Sequence, residues 1–345
     1  MIQLRLPYTL QWNTTLEQAL GGQQRISASY VGSVGRRLLQ QGSVSSPNPT
    51  FATAEFLTNA ATSDYHALQV QFQRRLWQRL QALVSYTWAH SIDTASAGSL
   101  VGNQANDLIP GFGPNTNRGP SDFDIRNAFS AGITYDVPVP VENGFAKSFL
   151  GGWSFQSIIQ ARSAPPVDVN YSSFSFVPAL FDAFADIRPD RVPGEPLYLH
   201  GSQCLQAPPQ GIGVPCPGGK GFNPNAFASP PLDTDGNPLR QGTLARNALR
   251  GFGAVQWDLA VHRDFSLYNS LKLQFRAEMF NVLNHPNFAP PIGDLSNPAS
   301  LNPQFGQSIQ TLSQSLAGTP GFGGLSSLYQ IGGPRSIQLA LKLQF

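Results

Sequence analysis

Charged residues are scarce: Asp, Glu, Lys and Arg make up 12% of the 345 residues, about half the share usual for a globular chain. The net charge is only +2, and the 22 basic residues are scattered, with Arg36-Arg37 and Arg74-Arg75 as the doublets. No stripe exists that could track a polyanion, so nucleic acid is not an expected partner. Long apolar runs are missing as well. Phe176 to Phe181 and Ala82 to Ala89 are among the richest stretches, and neither approaches the roughly 18 to 20 residues of a membrane helix. Met1 to Trp12 has no basic segment leading into an apolar core, so no secretory signal is visible and an exported protein of this sequence would be a truncated one. Methionine and cysteine contribute two residues each. Cys204 and Cys216 share one Gly/Pro-rich stretch, a spacing that suits a local loop disulfide better than a metal site or redox pair.

What is abundant is Gly (33), Pro (29) and Phe (23), within 41% hydrophobic residues. That composition favours strands and turns and contains enough apolar surface to exclude disorder. Two-residue alternation follows. Ile337, Leu339, Leu341, Leu343 and Phe345 alternate with Ser336, Gln338, Ala340, Lys342 and Gln344. Leu271, Leu273, Phe275, Ala277 and Met279 oppose Lys272, Gln274, Arg276 and Glu278, and Val255, Trp257, Leu259 and Val261 oppose Gln256, Asp258, Ala260 and His262. The same rule picks out strands around Phe129–Val137, Leu80–Trp88, Leu68–Phe72, Ile26–Tyr30, Trp153–Ile159 and, first in the chain, Leu10–Leu16, giving nine in all.

The joins alternate in length. Gly21-Gly22, Leu76 to Gln78, about a dozen residues around 138–150 and Tyr268 to Ser270 are short; 34–63, 91–123, 163–253 and 284–334 are long. In an up-and-down meander all short turns then fall at one end and all long loops at the other, the asymmetry of outer-membrane barrels with short periplasmic turns and long extracellular loops. Aromatics sort accordingly. Trp12, Tyr30, Trp88 and Trp257 fall near the upper ends of the oily face, and Tyr135, Trp153, Phe265 and Phe345 near the lower ends, as two girdles at the lipid headgroups would. Asp258, Lys272, Arg276 and Glu278 lie on the opposite face, which is expected to look into a lumen because charges packed on a second sheet would be buried at high cost. The expected fold is all-β, a partial transmembrane antiparallel β-barrel in the bacterial outer membrane.

Several stretches carry a resemblance to a known family: Tyr65-His66-Ala67-Leu68-Gln69-Val70-Gln71, Tyr86-Thr87-Trp88-Ala89-His90-Ser91, Arg118-Gly119-Pro120-Ser121-Asp122-Phe123-Asp124, Gly151-Gly152-Trp153 and Phe280-Asn281-Val282-Leu283-Asn284-His285-Pro286-Asn287-Phe288. In that order, on those strands and joins, the chain resembles the C-terminal barrel of TonB-dependent outer-membrane receptors of the Oar-like group, which carries a carboxypeptidase-regulatory-like domain. The terminal Leu341, Leu343 and Phe345 resemble an assembly signal read by the barrel-assembly machinery. The resemblance implies a parent barrel of about 22 strands around a plug. Residues 1–345 would then be its C-terminal part, with signal peptide, regulatory-like domain, plug and remaining strands absent. It also implies outer-membrane lipid, the TonB complex acting through the missing plug, and an extracellular ligand of unknown identity as partners. A surface adhesive or structural barrel without energised transport is the alternative.

Enzymatic chemistry is not expected. No G-x-S-x-G motif is present, the five histidines show no metal-ligand spacing, and no cofactor motif survives scrutiny. Gly111-Phe112-Gly113-Pro114 lacks the Lys-Ser/Thr of a phosphate loop, and Asp233-Thr234-Asp235-Gly236-Asn237 lacks a Glu at the twelfth position of a calcium loop, where Leu244 stands. Residues 163–253 are the best candidate for ligand contact, and a Cys204–Cys216 bridge within them would stabilise by about 2 to 3 kcal/mol.

Overall fold

The computed structural model describes residues 4–48, 50–77, 79–96, 114–138, 151–172, 175–176, 183–184, 187–206, 216–234, 238–268, 271–317 and 331–344. Nine strands form one antiparallel meander: β1 (Tyr8–Ala19), β2 (Gln24–Asn48), β3 (Phe51–Trp77), β4 (Leu80–Asp93), β5 (Asn127–Asp136), β6 (Trp153–Arg162), β7 (Ala254–Tyr268), β8 (Leu271–Phe280) and β9 (Ser336–Gln344). Each pairs with its sequence neighbour, and among the described residues β1 and β9 pair on one side only.

Register makes the alternation continuous across the sheet. Trp12 faces Gly32, Gly32 faces His66 and His66 faces His90; Tyr30, Leu68 and Trp88 form the next row. Directly paired residues share a face, so one outward series runs from Leu10 and Leu16 on β1 to Ile337, Leu339, Leu341 and Leu343 on β9. The opposite series includes Thr15, Ser29, Gln69 and Thr87, then Ser27, Gln71, Ser85, Ser130, Gln160 and Gln256.

One sequence expectation changes. The stretch 34–63 is not a loop, because β2 (25 residues) and β3 (27 residues) continue through it as one hairpin. About 9 to 11 residues suffice to span a bilayer, so this hairpin rises well beyond it, bent by bulges between Gly35 and Leu38 and between Leu38 and Gln40. The outward series also carries charge. Arg74 and Arg263 belong to it near its lower end. Arg263 is 4% exposed, its guanidinium 4.3 Å from the Phe265 ring centre and 5.4 Å from that of Trp153. An arginine at this height can reach the interface while its stem lies on apolar surface.

The described residues of the long joins 163–253 and 284–334 fold together into a cap with its own core. Val167, Val169, Tyr171, Phe222, Phe227, Leu244 and Leu249 pack with Leu295 and Phe305. Short ladders join 166–167 to 249–250 and 198–200 to 220–222, and Leu295 N–H donates to Asn170 O at 2.8 Å. Such a Pro/Gly-rich sequence has no alternation because its backbone turns too often for strands. Close approach explains particular glycines: a Cβ at Gly242 would strike the Arg188 and Pro189 carbonyls, and one at Gly293 would strike that of Asp168.

Candidate functional site

The cap meets the wall at the upper ends of β4, β5 and β7, where most of the buried charge lies. The segment Arg118–Asp124 lies beside the upper end of β4, with Gly119 and Pro120 paired to Asp93 and Ile92. A Cβ at Gly119 would collide with the Arg246 backbone, so only glycine lets the cap seat here. Arg246, 2% exposed, donates from Nη1 to Asp93 Oδ1 (2.6 Å) and from Nη2 to Asp122 Oδ1 (2.8 Å) and Ser96 Oγ (2.7 Å). Asn247 adds Nδ2 bonds to Asp122 Oδ1 and Pro120 O, both 2.8 Å. Arg250 pairs with Asp124, whose carboxylate also accepts from Arg126 (3.0 Å), Ser91 N–H (2.8 Å) and His90 (3.2 Å). Arg188 donates to Asn117 Oδ1 and Thr116 O, both 2.8 Å.

Charge states follow from these partners. Burial pushes the Asp124 carboxyl up, but the bonds from Arg250, Ser91 and His90 outweigh it and hold the pKa below the ordinary 3.8. The Arg240 guanidinium chiefly holds Asp190 below the same value. Asp168 behaves oppositely: it lies near Arg188 and Arg246, and burial of its carboxyl pushes the pKa up. A carboxyl with a lowered folded pKa contributes stability that is complete above its unfolded value and lost as pH falls through the folded one. Cap anchoring through Asp124 is therefore expected to hold above pH 3.8 and to weaken progressively below it. Asp168, with its raised pKa, opposes this trend by relieving its burial cost on protonation. Pepsin digestion over an acidic pH series checks this: cleavage within the cap should appear below that value while the wall strands stay intact.

A second junction uses the Phe280–Phe288 motif. Asn281, at φ +49°, donates to His285 O (3.0 Å) and Gly333 O (2.8 Å), and its N–H donates to Asp258 Oδ1 (2.8 Å). The Asn287 carboxamide accepts from Val255 N–H (2.8 Å) and donates to Val255 O (3.0 Å), so it extends the ladder where no strand continues. Gln256 Oε1 accepts from Gly332 N–H at 2.6 Å. The loops thus fold onto the polar series of the wall, which includes Asp93, Gln256 and Asp258.

The other sequence-derived residues fall as follows. Lys272, Arg276 and Glu278 share the polar series with Asp258, and Arg276 pairs with Glu278 at 2.6 Å. Cys204 and Cys216 are joined by a disulfide, with Cα atoms 5.3 Å apart. Trp12, Tyr30, Trp88, Trp257, Tyr135, Trp153 and Phe265 all lie in the outward series. Leu341 and Leu343 lie on the outward face of β9, while Phe345 is outside the described residues, as are 111–113 and 235–237. Among the described residues no His, Cys, Asp and Glu are grouped as a metal site would need.

One observation decides what surrounds the wall. Among the described residues no second layer packs on the large apolar side chains of the outward series: Leu16 is 75% exposed, Leu341 71% and Trp88 56%. A continuous apolar face flanked by aromatics, backed by a polar face, is the signature of a sheet immersed in lipid. The sequence agrees, since residues 2–338 match the outer membrane beta barrel domain family. The chain belongs to that family. This barrel protein accordingly resides in the bacterial outer membrane, and its open nine-stranded sheet is part of a barrel. Among solved structures it is similar to the outer membrane transporter YddB from Escherichia coli, at 10% identity and a TM-score of 0.45, over 82% of this chain and 29% of that one. No curated protein matches it.

Arg246, Arg250, Arg188 and Asp93 escaped sequence reasoning. The family-like run Arg118–Asp124 marked one half of the junction, but nothing in the spacing ties it to arginines more than 120 residues away.

Proposed function

We propose that this chain supplies the C-terminal wall and extracellular cap of a TonB-dependent receptor, a non-enzymatic protein that captures a scarce ligand at the surface and releases it into the lumen when an energised partner acts on a plug. The observation that carries this reading is the cap itself. The described residues of 163–253 and 284–317 are a folded unit, bolted by Arg246 to Asp93 on the polar side of the wall and by Asn287 to the Val255 backbone, where they can present a shaped surface above a lumen. The open edges of β1 and β9 support it too, since unpaired backbone groups at membrane depth demand further strands to close the barrel. In this reading the 345 residues are the C-terminal part, and the plug, regulatory-like domain and remaining strands belong to the rest of the protein. Leu341, Leu343 and Phe345 serve as the signal for the assembly machinery.

Cells expressing the full-length protein, offered a panel of ferric siderophores, malto-oligosaccharides and short peptides, should accumulate one class. A proton uncoupler should abolish that accumulation. Binding to cells without accumulation, unaffected by the uncoupler, would overturn the proposal in favour of an adhesive barrel.

A further inference from the structure

On the polar side of β1–β4 two cavities lie one above the other, and their chemistry points to a class of ligand. The upper one has a volume of about 420 Å³, within the range of about 300 to 1,000 Å³ usual for small-molecule sites. Gln11, Ser33 and Tyr65 pair across the strands as its upper row, with Asn13 and Val31 as its lower row. Trp12 and Gly32 lie between these rows and face outward, so their backbone forms the floor. The lower cavity, of about 260 Å³, has Ser29, Gln69 and Thr87 in one row and Ser27, Gln71 and Ser85 in the next.

The two differ in how far their polar groups satisfy one another. In and beside the lower cavity, Ser29 Oγ lies 2.9 Å from Thr15 Oγ1, and Gln71 Nε2 donates to Ser85 Oγ at 3.5 Å. In the upper one, the side chains of Gln11, Asn13, Ser33 and Tyr65 make no hydrogen bond among the described residues. Two carboxamides and two hydroxyls are therefore open to whatever enters.

Neutrality selects the ligand. Among the described residues no charged side chain lines either cavity, so an ionic ligand would give up its hydration here without gaining a counter-ion. A neutral, hydroxyl-rich ligand exchanges water for carboxamides that donate and accept at once, which adjacent hydroxyls require. Tyr65 adds an apolar ring face, suited to the C–H face of a sugar, with a hydroxyl at its edge. Charged members of the polar series such as Asp258, Arg276 and Glu278 stand apart, on β7 and β8.

Height fits capture. Tyr65 lies three residues above Leu68 along β3, so at about 3.3 Å per residue and a tilt near 40° it stands roughly 8 Å above the row of Tyr30, Leu68 and Trp88. The upper cavity thus opens at the mouth of the lumen, and Gln69 lies four residues further down the same strand.

We propose that Gln11, Asn13, Ser33 and Tyr65 form a subsite for one ring of a neutral oligosaccharide, whose next rings follow the uncharged rows below. The inference names the ligand class for the transport reading above and rests on it for the ligand's destination.

Calorimetric titration of the full-length protein, purified in a dimethylamine-oxide detergent so that no sugar headgroup competes, tests binding with no proton gradient present. The probes are maltohexaose, cellohexaose and mannohexaose, with hexagalacturonate as the anionic counterpart. At least one neutral hexasaccharide should bind about tenfold more tightly than hexagalacturonate. Gln11→Ala and Asn13→Ala should each weaken it about fivefold and Tyr65→Ala about tenfold. Gln160→Ala, on the polar face of β6 outside both cavities, should leave it unchanged. Gln11 and Asn13 are exposed on β1, so their variants carry the test even if Tyr65→Ala lacks the heat-shifted mobility of a folded barrel. Neutral sugars that bind no better than hexagalacturonate, or undiminished binding by a folded Gln11→Ala/Asn13→Ala variant, would each overturn the subsite. Sugar binding without uncoupler-sensitive accumulation sinks the transport reading and spares the subsite, whereas accumulation unchanged in the double variant does the reverse.

Discussion

Replacing Arg246 by Met is expected to release the cap from the wall at a cost of about 3 to 5 kcal/mol, the range for removing one partner of a buried ion pair. Both partners are shielded, with side-chain exposure of 2% for Arg246 and 5% for Asp93. Without the guanidinium, the Asp93 carboxylate keeps, among the described residues, its Ser96 hydroxyl bonds at 2.8 and 3.0 Å, and the penalty is that stranded charge rather than the lost attraction. Asp122 suffers less because its side chain is 37% exposed and water can take over. Hydrogen exchange should show faster amides across 187–250 while β4 and β7 stay protected. Adding Asp93→Leu to Arg246→Met should recover part of the loss, since removing both charges removes the stranded one. Arg240→Gln, at the exposed pair with Asp190, should change little. Equal effects from both arginines would refute the buried anchor.

An arginine at Leu339 is the second large expectation. At about 3.3 Å per residue and a tilt near 40°, Leu339 stands about 13 Å above the lower end of β9, near the middle of an apolar band about 25 Å tall. Its side chain belongs to the outward series, so Leu339→Arg should cost about 2 to 4 kcal/mol and lower the amount of folded, heat-modifiable protein in the outer membrane. The neighbouring change Gln338→Arg should be tolerated, because Gln338 faces the other way and lies opposite Glu278. One residue of separation thus reverses the outcome, because successive side chains face opposite sides of the sheet. If both variants reach the membrane equally, the orientation of the sheet is wrong.

The nine strands and their two faces were legible in the sequence because alternation is a local property: each residue's face follows from its parity along the strand. Trp88 and Leu339 could be assigned outward from their neighbours alone. The lengths of β2 and β3 were not legible. Beyond Val34 the bulges break parity, and the polar Ser, Gln and Asn residues there read as loop when they form a hairpin outside the membrane. Arg263 was missed for a related reason. It occupies an outward position that alternation reserves for apolar side chains, and only the Trp153 and Phe265 rings beside it show how it is accommodated.

The cap was least legible. Its core joins Val167 and Leu249 to Leu295 and Phe305, and its anchor joins Asp93 to Arg246 across 153 residues. Such pairings depend on where the wall brings loop ends together, which no local pattern encodes.

From the order of its residues alone, the chain established a two-faced antiparallel sheet with long loops at one end, since a period of two leaves no other way to segregate oily from hydrophilic side chains. Only the tertiary structure decided that the loops condense into an anchored cap, because burial and charge balance arise between segments distant in the chain.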